Sequence, residues 1–126
     1  MIVIDASVLA TALGDDGKDG DAVRERLVGQ ELAAPEIIDL EVMSVWRRTL
    51  TDERRAAFAL ADLADLPLRR APHLPLLPRC WELRHNFTPY DAAYVALAEA
   101  LEVTLLTADQ RLSRAPGIRC AVNLVE

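Results

Sequence analysis

Two aspartates follow apolar segments of the kind that form buried strands. Asp5 ends the predicted strand 2–5, and Asp109 comes two residues after the predicted strand 103–107. Ligands of an open parallel sheet bind at the carboxyl ends of its strands, because loops and helix starts converge there. If these two strands are neighbours, both carboxylates face one crevice. Either aspartate could instead serve only as the N-cap of the segment that follows it.

Two further acids lie in segments whose apolar periodicity predicts helices. Glu41 falls at the edge of the apolar stripe of the predicted helix 36–50. Asp91 borders the core side of the predicted helix 88–101. Both residues also have a purely structural interpretation. Glu41 could form a partly buried ion pair with the arginines later in its helix, and Asp91 could cap its helix reciprocally with Thr88.

Four carboxylates in one pocket would repel one another strongly. At an effective dielectric constant of about 20, two carboxylates about 4 Å apart repel by about 4 kcal/mol, so protons, arginines or metal cations must neutralise them. The only lysine is Lys18, and the histidine closest in sequence, His85, stands six residues before Asp91. Surroundings made of oxygen ligands suit Mg²⁺ or Mn²⁺. These four acids therefore have three possible interpretations: a divalent-metal site, helix capping and ion pairing.

The remaining sequence alternates short apolar runs with longer periodic segments, which is typical of an α/β chain with a parallel sheet covered by helices. The predicted strands cover 2–5, 32–34, 66–70, 103–107 and 118–124. The predicted helices cover about 21–29, 36–50, 52–64, 78–86 and 88–101, with a short one after Asp109. Residues 14–20 are polar and predict a flexible loop. The segment 66–75 is rich in proline and only weakly strand-like.

Length and composition describe a single globular domain spanning residues 1–126, of which 52% are apolar. With 20 acidic against 14 basic side chains, the formal net charge is −6, which disfavours non-specific binding to nucleic acid but allows a weak, local contact. The single lysine, Lys18, is followed by Asp19 and so does not form the Gly-x-x-x-x-Gly-Lys-Ser/Thr motif of a P-loop. The lack of a later lysine argues against a receiver-like phosphoacceptor module, which also gathers acids at strand ends.

The sequence also suggests where the protein works. Its apolar runs are shorter than the roughly 20 residues of a membrane-spanning helix, and residues 1–5 lack the features of an export signal. We therefore expect a cytoplasmic protein with no membrane association. Cys80 and Cys120 are predicted to be core residues rather than disulfide or metal ligands.

Three arginine pairs are candidates for binding phosphate, because a guanidinium can form two parallel hydrogen bonds to phosphate oxygens. They are Arg47 with Arg48, Arg54 with Arg55, and Arg69 with Arg70. Surface ion pairing is the favoured interpretation for each pair. Arg48 is the best single candidate for substrate binding, since it lies on the Glu41 side of its helix. Trp46 and Trp81 could stack on bases, but core or interface packing is favoured for both.

Taken together, several segments resemble one known family. They are Ile2-Val3-Ile4-Asp5-Ala6-Ser7-Val8-Leu9, Ala34-Pro35 with Glu41 six residues further on, Thr88-Pro89-Tyr90-Asp91-Ala92-Ala93-Tyr94, and Leu105-Leu106-Thr107-Ala108-Asp109-Gln110-Arg111-Leu112. In this order along the chain, they closely resemble the PIN-domain ribonucleases of the VapC toxin type. The resemblance implies a three-layer α/β/α sandwich around a central parallel sheet of about five strands, in the order 3-2-1-4-5.

The resemblance also implies an activity and its residues. It implies a Mg²⁺- or Mn²⁺-dependent endoribonuclease in which Asp5, Glu41, Asp91 and Asp109 are catalytic and bind the metal. Ser7 and Thr107 would support this site through hydroxyl hydrogen bonds. The protein would be the toxin of a toxin-antitoxin module, with RNA as substrate, a small antitoxin as inhibitor and a homodimer as its assembly. A catalytically silent binding module and a nuclease acting on DNA remain the alternatives.

Overall fold

The computed structural model describes residues 1–125. Five strands run along the chain as β1 (Ile2–Ile4), β2 (Leu32–Pro35), β3 (Leu68–Ala71), β4 (Leu105–Thr107) and β5 (Val122–Leu124). Seven helices separate or follow them: α1 (Ala6–Gly14), α2 (Lys18–Leu27), α3 (Ile38–Thr49), α4 (Glu53–Asp65), α5 (Leu77–Glu82), α6 (Pro89–Leu101) and α7 (Gln110–Arg114). A short 3-10 turn, Leu74–Leu76, leads into α5.

The five strands form one parallel sheet in the order β3-β2-β1-β4-β5, which confirms the predicted α/β class and strand order. In register, Val3 of β1 is paired with Ala33 of β2 on one side and Leu105 of β4 on the other. The chain builds outward from β1 in both directions, so the order reverses between β1 and β4. Ligands bind at such a switch point in open α/β sheets.

Helices flank the sheet and bury its central strands. α6 packs on β1, β2 and β4, while α1 packs against α2, α3 and α4. All three residues of β1 and of β4 are buried, as expected for parallel strands covered on both faces. Trp46 of α3 is buried as well, and its Nε1 donates a hydrogen bond of 3.1 Å to the Ala10 carbonyl oxygen of α1. Core packing was the favoured expectation for this tryptophan, and it is confirmed.

The structure corrects several predicted boundaries. Helix α1 was missed, because residues 6–14 are mostly small and apolar and show no amphipathic alternation that would separate a helix from a longer buried run. The predicted loop 14–20 is shorter than expected, since α2 already begins at Lys18. The predicted helix 78–86 is also too long. α5 ends at Glu82, and the chain continues in turns.

The proline-rich segment does form a strand at the sheet edge. β3 pairs with β2 over four residues, from Leu68 beside Leu32 to Ala71 beside Pro35. Pro67 and Pro72 lie immediately outside β3, where their missing N–H groups do not interrupt the ladder. None of the helices in residues 1–125 combines the length and the hydrophobicity that a membrane span requires. Cys80 is buried and Cys120 half-buried, and both are free thiols.

Candidate active site

Asp5 occupies the junction between β1 and α1, and its carboxylate is held on both oxygens. Ser7 Oγ donates a hydrogen bond of 2.6 Å to Oδ1, and the Val8 N–H donates one of 3.1 Å to the same oxygen. Thr107 Oγ1 donates to Oδ2 from the end of β4. Asp5 is therefore the N-cap of α1 and, at the same time, a rigidly oriented carboxylate at the switch point. The capping and site interpretations are compatible.

Burial sets the protonation behaviour of Asp5. Only 7% of the residue is exposed, and this burial raises the pKa of its carboxyl group above the ordinary value. The hydrogen bonds from Ser7, Thr107 and Val8 act in the opposite direction, and the negative charge of Asp91 adds to the rise. A nearby cation would offset the cost of holding this group ionised.

Hydrogen bonds connect the carboxyl ends of β1 and β4. Thr107 Oγ1 accepts a hydrogen bond of 3.0 Å from the Asp109 N–H while donating to Asp5. Ser7 Oγ accepts one of 3.2 Å from the Ala108 N–H. Ser7 and Thr107 thus contact both Asp5 and the loop that carries Asp109. The resemblance implied a supporting role for both hydroxyls, and in the structure both donate hydrogen bonds to Asp5.

Asp109 lies at the start of α7. Its Oδ1 accepts a hydrogen bond of 2.9 Å from the Arg111 N–H, which makes it the N-cap of this short helix. The Arg111 guanidinium approaches Oδ2 at 3.5 Å, but 89% of that arginine side chain is exposed. An exposed pair of this kind contributes little to stability and leaves Arg111 free to turn toward a ligand.

Glu41 extends from the first turn of α3 and is fixed by an aromatic partner. The Tyr94 hydroxyl of α6 donates a hydrogen bond of 2.5 Å to Glu41 Oε1. Burial raises the pKa of the Glu41 carboxyl group, and the charges of Asp91 and Asp5 raise it further. Within residues 1–125, Glu41 forms no salt bridge, so the alternative of an ion pair with the arginines of α3 is wrong.

Tyr94 is a site residue that sequence reasoning missed. Its ring belongs to the buried stripe of α6, with 1% of the residue exposed, and it was treated as a core residue only. Burial and the hydrogen bond to Glu41 raise the pKa of its hydroxyl group, which therefore stays a proton donor. A tyrosine one helical turn after Asp91, on the same side of α6, is the sequence signal that could have identified it.

Asp91 lies in the first turn of α6. Thr88 is the N-cap of this helix, and its Oγ1 accepts a hydrogen bond of 3.2 Å from the Asp91 N–H. The Asp91 carboxyl group is half-buried, and burial followed by the negative charge of Asp109 raises its pKa. Thr88 thus provides its half of the predicted reciprocal cap. The Asp91 side of that cap stays a prediction, and Asp91 lines a cleft that Asp109 also lines.

The four acids interact electrostatically in one region of the molecule. Asp91 raises the pKa of both Asp5 and Glu41, Asp5 also raises that of Glu41, and Asp109 raises that of Asp91. In the part of the chain that the structure describes, no three His, Cys, Asp or Glu side chains stand close enough to share one ion. Mg²⁺ commonly binds through one or two carboxylates and keeps several waters. The donor chemistry therefore fits such a cation, with water completing its coordination.

A cleft of about 490 Å³ opens beside Asp91 and Asp109. Its other lining residues are Arg84, His85, Asn86, Phe87, Thr88, Arg111, Leu112 and Ala115. The turns that follow α5 form one wall, and the start of α7 forms another. Arg84, His85 and Arg111 add basic side chains to a cleft that also contains two carboxylates. None of the three was predicted as a site residue, although Arg111 follows Asp109 by two residues and His85 precedes Asp91 by six. For Arg84 and His85, nothing in the local pattern places the turns after α5 beside α7.

Two arginines of the candidate phosphate-binding pairs form ion pairs with aspartates. Arg55 binds Asp16 through two hydrogen bonds of 2.8 and 3.0 Å. Arg70 binds Asp39 in the same way at 2.7 and 2.9 Å. Ion pairing, the favoured interpretation, is confirmed for these two. Arg48 is exposed, and its part in substrate binding stays a prediction.

Comparisons with known proteins identify a family for the chain. The PIN domain family model matches residues 2–118. Ribonuclease VapC1 from Mycobacterium tuberculosis is 44% identical over 128 residues, which cover 98% of this chain and 96% of the relative. Ribonuclease VapC9 from the same organism is 40% identical over 129 residues, with coverage of 99% and 98%.

Solved structures share the fold. The crystal structure of VapBC2 from Rickettsia felis, bound to a DNA fragment from their promoter, superposes with a TM-score of 0.73 at 16% identity and covers 100% of both chains. That of Mycobacterium tuberculosis VapC20, a Sarcin-Ricin loop cleaving toxin, gives 0.72 at 17% identity, covering 90% of this chain and 93% of that one. These likenesses show that the fold is shared. The chain belongs to the PIN-domain family and, within it, to the VapC ribonucleases.

Proposed function

We propose that the protein is a metal-dependent endoribonuclease and the toxin of a VapBC-type toxin-antitoxin module. One observation carries the proposal. The buried carboxylate of Asp5 is fixed by Ser7, Val8 and Thr107, lies within electrostatic range of Asp91, and forms no salt bridge within residues 1–125. Buried carboxylates that serve stability alone are normally paired with a cation. Relatives that are named ribonucleases and are 40–44% identical over nearly the whole chain support the same activity.

Asp5, Glu41, Asp91 and Asp109 would hold Mg²⁺ or Mn²⁺, directly or through water. Such a cation lowers the pKa of a water molecule toward neutrality and stabilises charge that develops on phosphate oxygens. The residues of the chain have complementary roles. Asp5 would be the most rigidly held of the four, because Ser7, Val8 and Thr107 fix its carboxylate. Asp91 and Asp109 lie at the cleft where a phosphodiester would enter.

Glu41 would orient the attacking water, because Tyr94 fixes one of its oxygens and leaves the other available as an acceptor. Water attacks the phosphorus atom in line with the leaving 3′ oxygen, the P–O3′ bond breaks, and a proton from water goes to that oxygen. The products carry 5′-phosphate and 3′-hydroxyl ends. No side chain becomes covalently attached to the RNA.

The proposal includes partners and location. We propose a small cognate antitoxin as the inhibitor, since the fold is shared with a toxin-antitoxin complex from Klebsiella pneumoniae at a TM-score of 0.70. We also propose that the chain forms a homodimer and acts in the cytoplasm, where a ribonuclease meets its substrates. Light scattering of the purified protein measures whether it is a homodimer. Co-expression with the product of a neighbouring short reading frame, followed by co-purification, measures the antitoxin contact.

The testing experiment incubates the purified protein with a panel of structured RNAs in Mg²⁺, in Mn²⁺ and in chelator. We expect cleavage with either cation, none in chelator, and loss of cleavage in Asp5→Asn. Asp62→Asn, an exposed aspartate on α4, is the matched control and should cleave as the wild type does. Undiminished metal-dependent cleavage by Asp5→Asn would contradict the assignment. Preference for DNA in the same assay would reassign the substrate.

A further inference from the structure

An exposed tryptophan at the end of α5 is stacked on an arginine. The guanidinium carbon of Arg84 lies 4.4 Å from the centroid of the Trp81 ring, which is a cation–π contact. Arg84 Nη1 also donates a hydrogen bond of 2.8 Å to the Trp81 carbonyl oxygen. Two contacts therefore fix the arginine, yet 68% of Trp81 remains exposed. An exposed indole ring that is held in place by a fixed arginine can stack against a planar ligand.

Arg84 also belongs to the cleft that Asp91 and Asp109 line. No carboxylate forms a salt bridge with Arg84 within residues 1–125, in contrast to Arg79 of α5, which binds Glu99 and Glu82. Arg84 therefore retains donors for a ligand. Because it both lines the cleft and stacks on Trp81, it connects the acidic centre of the cleft with the indole outside it.

The surroundings of Arg84 favour a nucleic acid strand over a small molecule. His85 and Asn86 continue the same wall, and Arg111 stands on the other side with 89% of its side chain exposed. Donors along both walls can bind successive phosphates, while the acids between them serve the reaction. Single-stranded nucleic acids bind where a basic groove tracks the backbone and an aromatic ring receives a base.

We propose that Trp81 and Arg84 form a binding platform for an unpaired nucleotide of the RNA, with the base stacked on the free face of Trp81 and its phosphate bound by Arg84. This inference rests on the proposed ribonuclease activity. It deepens that activity by specifying that the RNA is single-stranded on one side of the scissile bond. Base stacking is the contact that a duplex, whose bases are already stacked, cannot supply.

Tryptophan fluorescence tests the platform without any cleavage. The chain has two tryptophans, and Trp46 is buried with 5% exposed, so a bound base can quench only Trp81. The Asp5→Asn variant is titrated in chelator with a single-stranded RNA oligonucleotide labelled for anisotropy. We expect saturable quenching with the same midpoint as the anisotropy change. Adding Trp81→Leu should abolish the quenching and weaken binding about tenfold, and Arg84→Gln should weaken it by a similar factor.

A second exposed arginine-aromatic pair provides the matched control. On α4, the Arg54 guanidinium carbon lies 6.0 Å from the Phe58 ring centroid, and 59% of Phe58 is exposed. Phe58→Leu should leave RNA affinity unchanged. Circular dichroism confirms that each variant is folded, which is expected because both aromatic side chains are on the surface.

The outcomes separate the platform from the nuclease assignment. Unchanged affinity and residual quenching in Trp81→Leu, or equal quenching by duplex RNA, would overturn the platform. If Trp81→Leu cleaves RNA with wild-type kcat and KM, the platform is wrong and the nuclease assignment stands. If oligonucleotide quenches Trp81 but the wild type cleaves no RNA with any metal, the platform stands and the nuclease assignment fails.

Discussion

The hydroxyl of Tyr94 donates a 2.5 Å hydrogen bond to Oε1 of Glu41, across 53 positions of sequence. This bond connects α6, which carries Asp91, with α3, which carries Glu41. Tyr94 is buried in the core, so its position is fixed by packing rather than by the site. The core of the protein thereby orients a carboxylate at the edge of the acidic cluster.

Tyr94→Phe should retain the fold and lower the activity. The substitution keeps the ring and removes one hydrogen bond, which costs about 0.5–1.5 kcal/mol of folding stability. Because Glu41 loses its orienting partner, we expect kcat to fall about tenfold or more while KM changes little. Steady-state cleavage of a labelled RNA and urea denaturation measure the two effects.

Comparing Tyr94→Phe with Tyr94→Leu separates the effect of the hydrogen bond to Glu41 from the effect of ring packing. Tyr94→Leu removes both the hydroxyl and the ring, so it should destabilise the protein clearly more than Tyr94→Phe does. If Tyr94→Phe cleaves RNA at the wild-type rate, the bond to Glu41 is structural only, and the orienting role is wrong.

Asp5→Asn should make the metal-free protein more stable at neutral pH. Burial raises the pKa of Asp5 in the folded state above its ordinary value of 3.8. Between the ordinary pKa and the raised one, Asp5 is ionised in the unfolded chain and still protonated in the folded protein. The free energy of unfolding therefore falls as pH rises through this range. Asparagine keeps a similar shape without the charge. In chelator, we expect the variant to gain about 1 kcal/mol at pH 7.5.

The stability gain expected for Asp5→Asn should depend on pH and on added metal, and these two trends are the controls. The advantage of Asp5→Asn should shrink as pH falls through the raised pKa of Asp5, because the wild-type carboxyl group then becomes neutral too. Added Mg²⁺ should raise the Tm of the wild type and have less effect on the variant, since a ligand stabilises the state that binds it. Thermal denaturation at several pH values measures both trends. A lower Tm for Asp5→Asn in chelator at pH 7.5 would refute the electrostatic argument.

Gly14→Ala should destabilise the protein although it places a better helix former in α1. A Cβ atom at position 14 would collide with the Trp46 indole ring, nearest at Nε1. In an open helix, the same change stabilises by roughly 0.5–1 kcal/mol. Here the ring must shift and strain its hydrogen bond to Ala10, so we expect a loss of about 1–3 kcal/mol in urea denaturation.

A double-mutant cycle with Trp46→Phe checks this explanation. The smaller ring leaves room for the added methyl group, so Gly14→Ala should cost at least about 1 kcal/mol less in that background. Additive costs in the cycle would show that the destabilisation has another origin.

Much of the fold followed from the sequence because its signals are local. Apolar runs at residues 2–5 and 103–107 predicted the central strands, and the resemblance supplied the strand order that the structure confirms. Capping residues such as Thr88 predicted a helix start correctly. Helix α1 was missed because a helix buried on most of its surface has little amphipathic periodicity.

The site was predictable in part for the same reason. Asp5 and Asp109 lie next to strand ends, so their place at the switch point follows once β1 and β4 are neighbours. The bond from Tyr94 to Glu41, and the approach of Arg84 to the cleft, join residues that no short-range pattern relates. Arg70 and Arg55 were candidates for phosphate, and only the folded chain shows that carboxylates already occupy them.

The residues that could carry charge, close a strand or start a helix were identifiable from the amino-acid sequence, since these properties depend on side-chain chemistry and near neighbours along the chain. Which of those residues meet depends on the folded chain. It buried Asp5 against Thr107 from a strand 102 positions away, and it left Arg84 without a salt bridge among the described residues. Long-range packing fixes such contacts, and with them the distances and burial that determine electrostatic interactions.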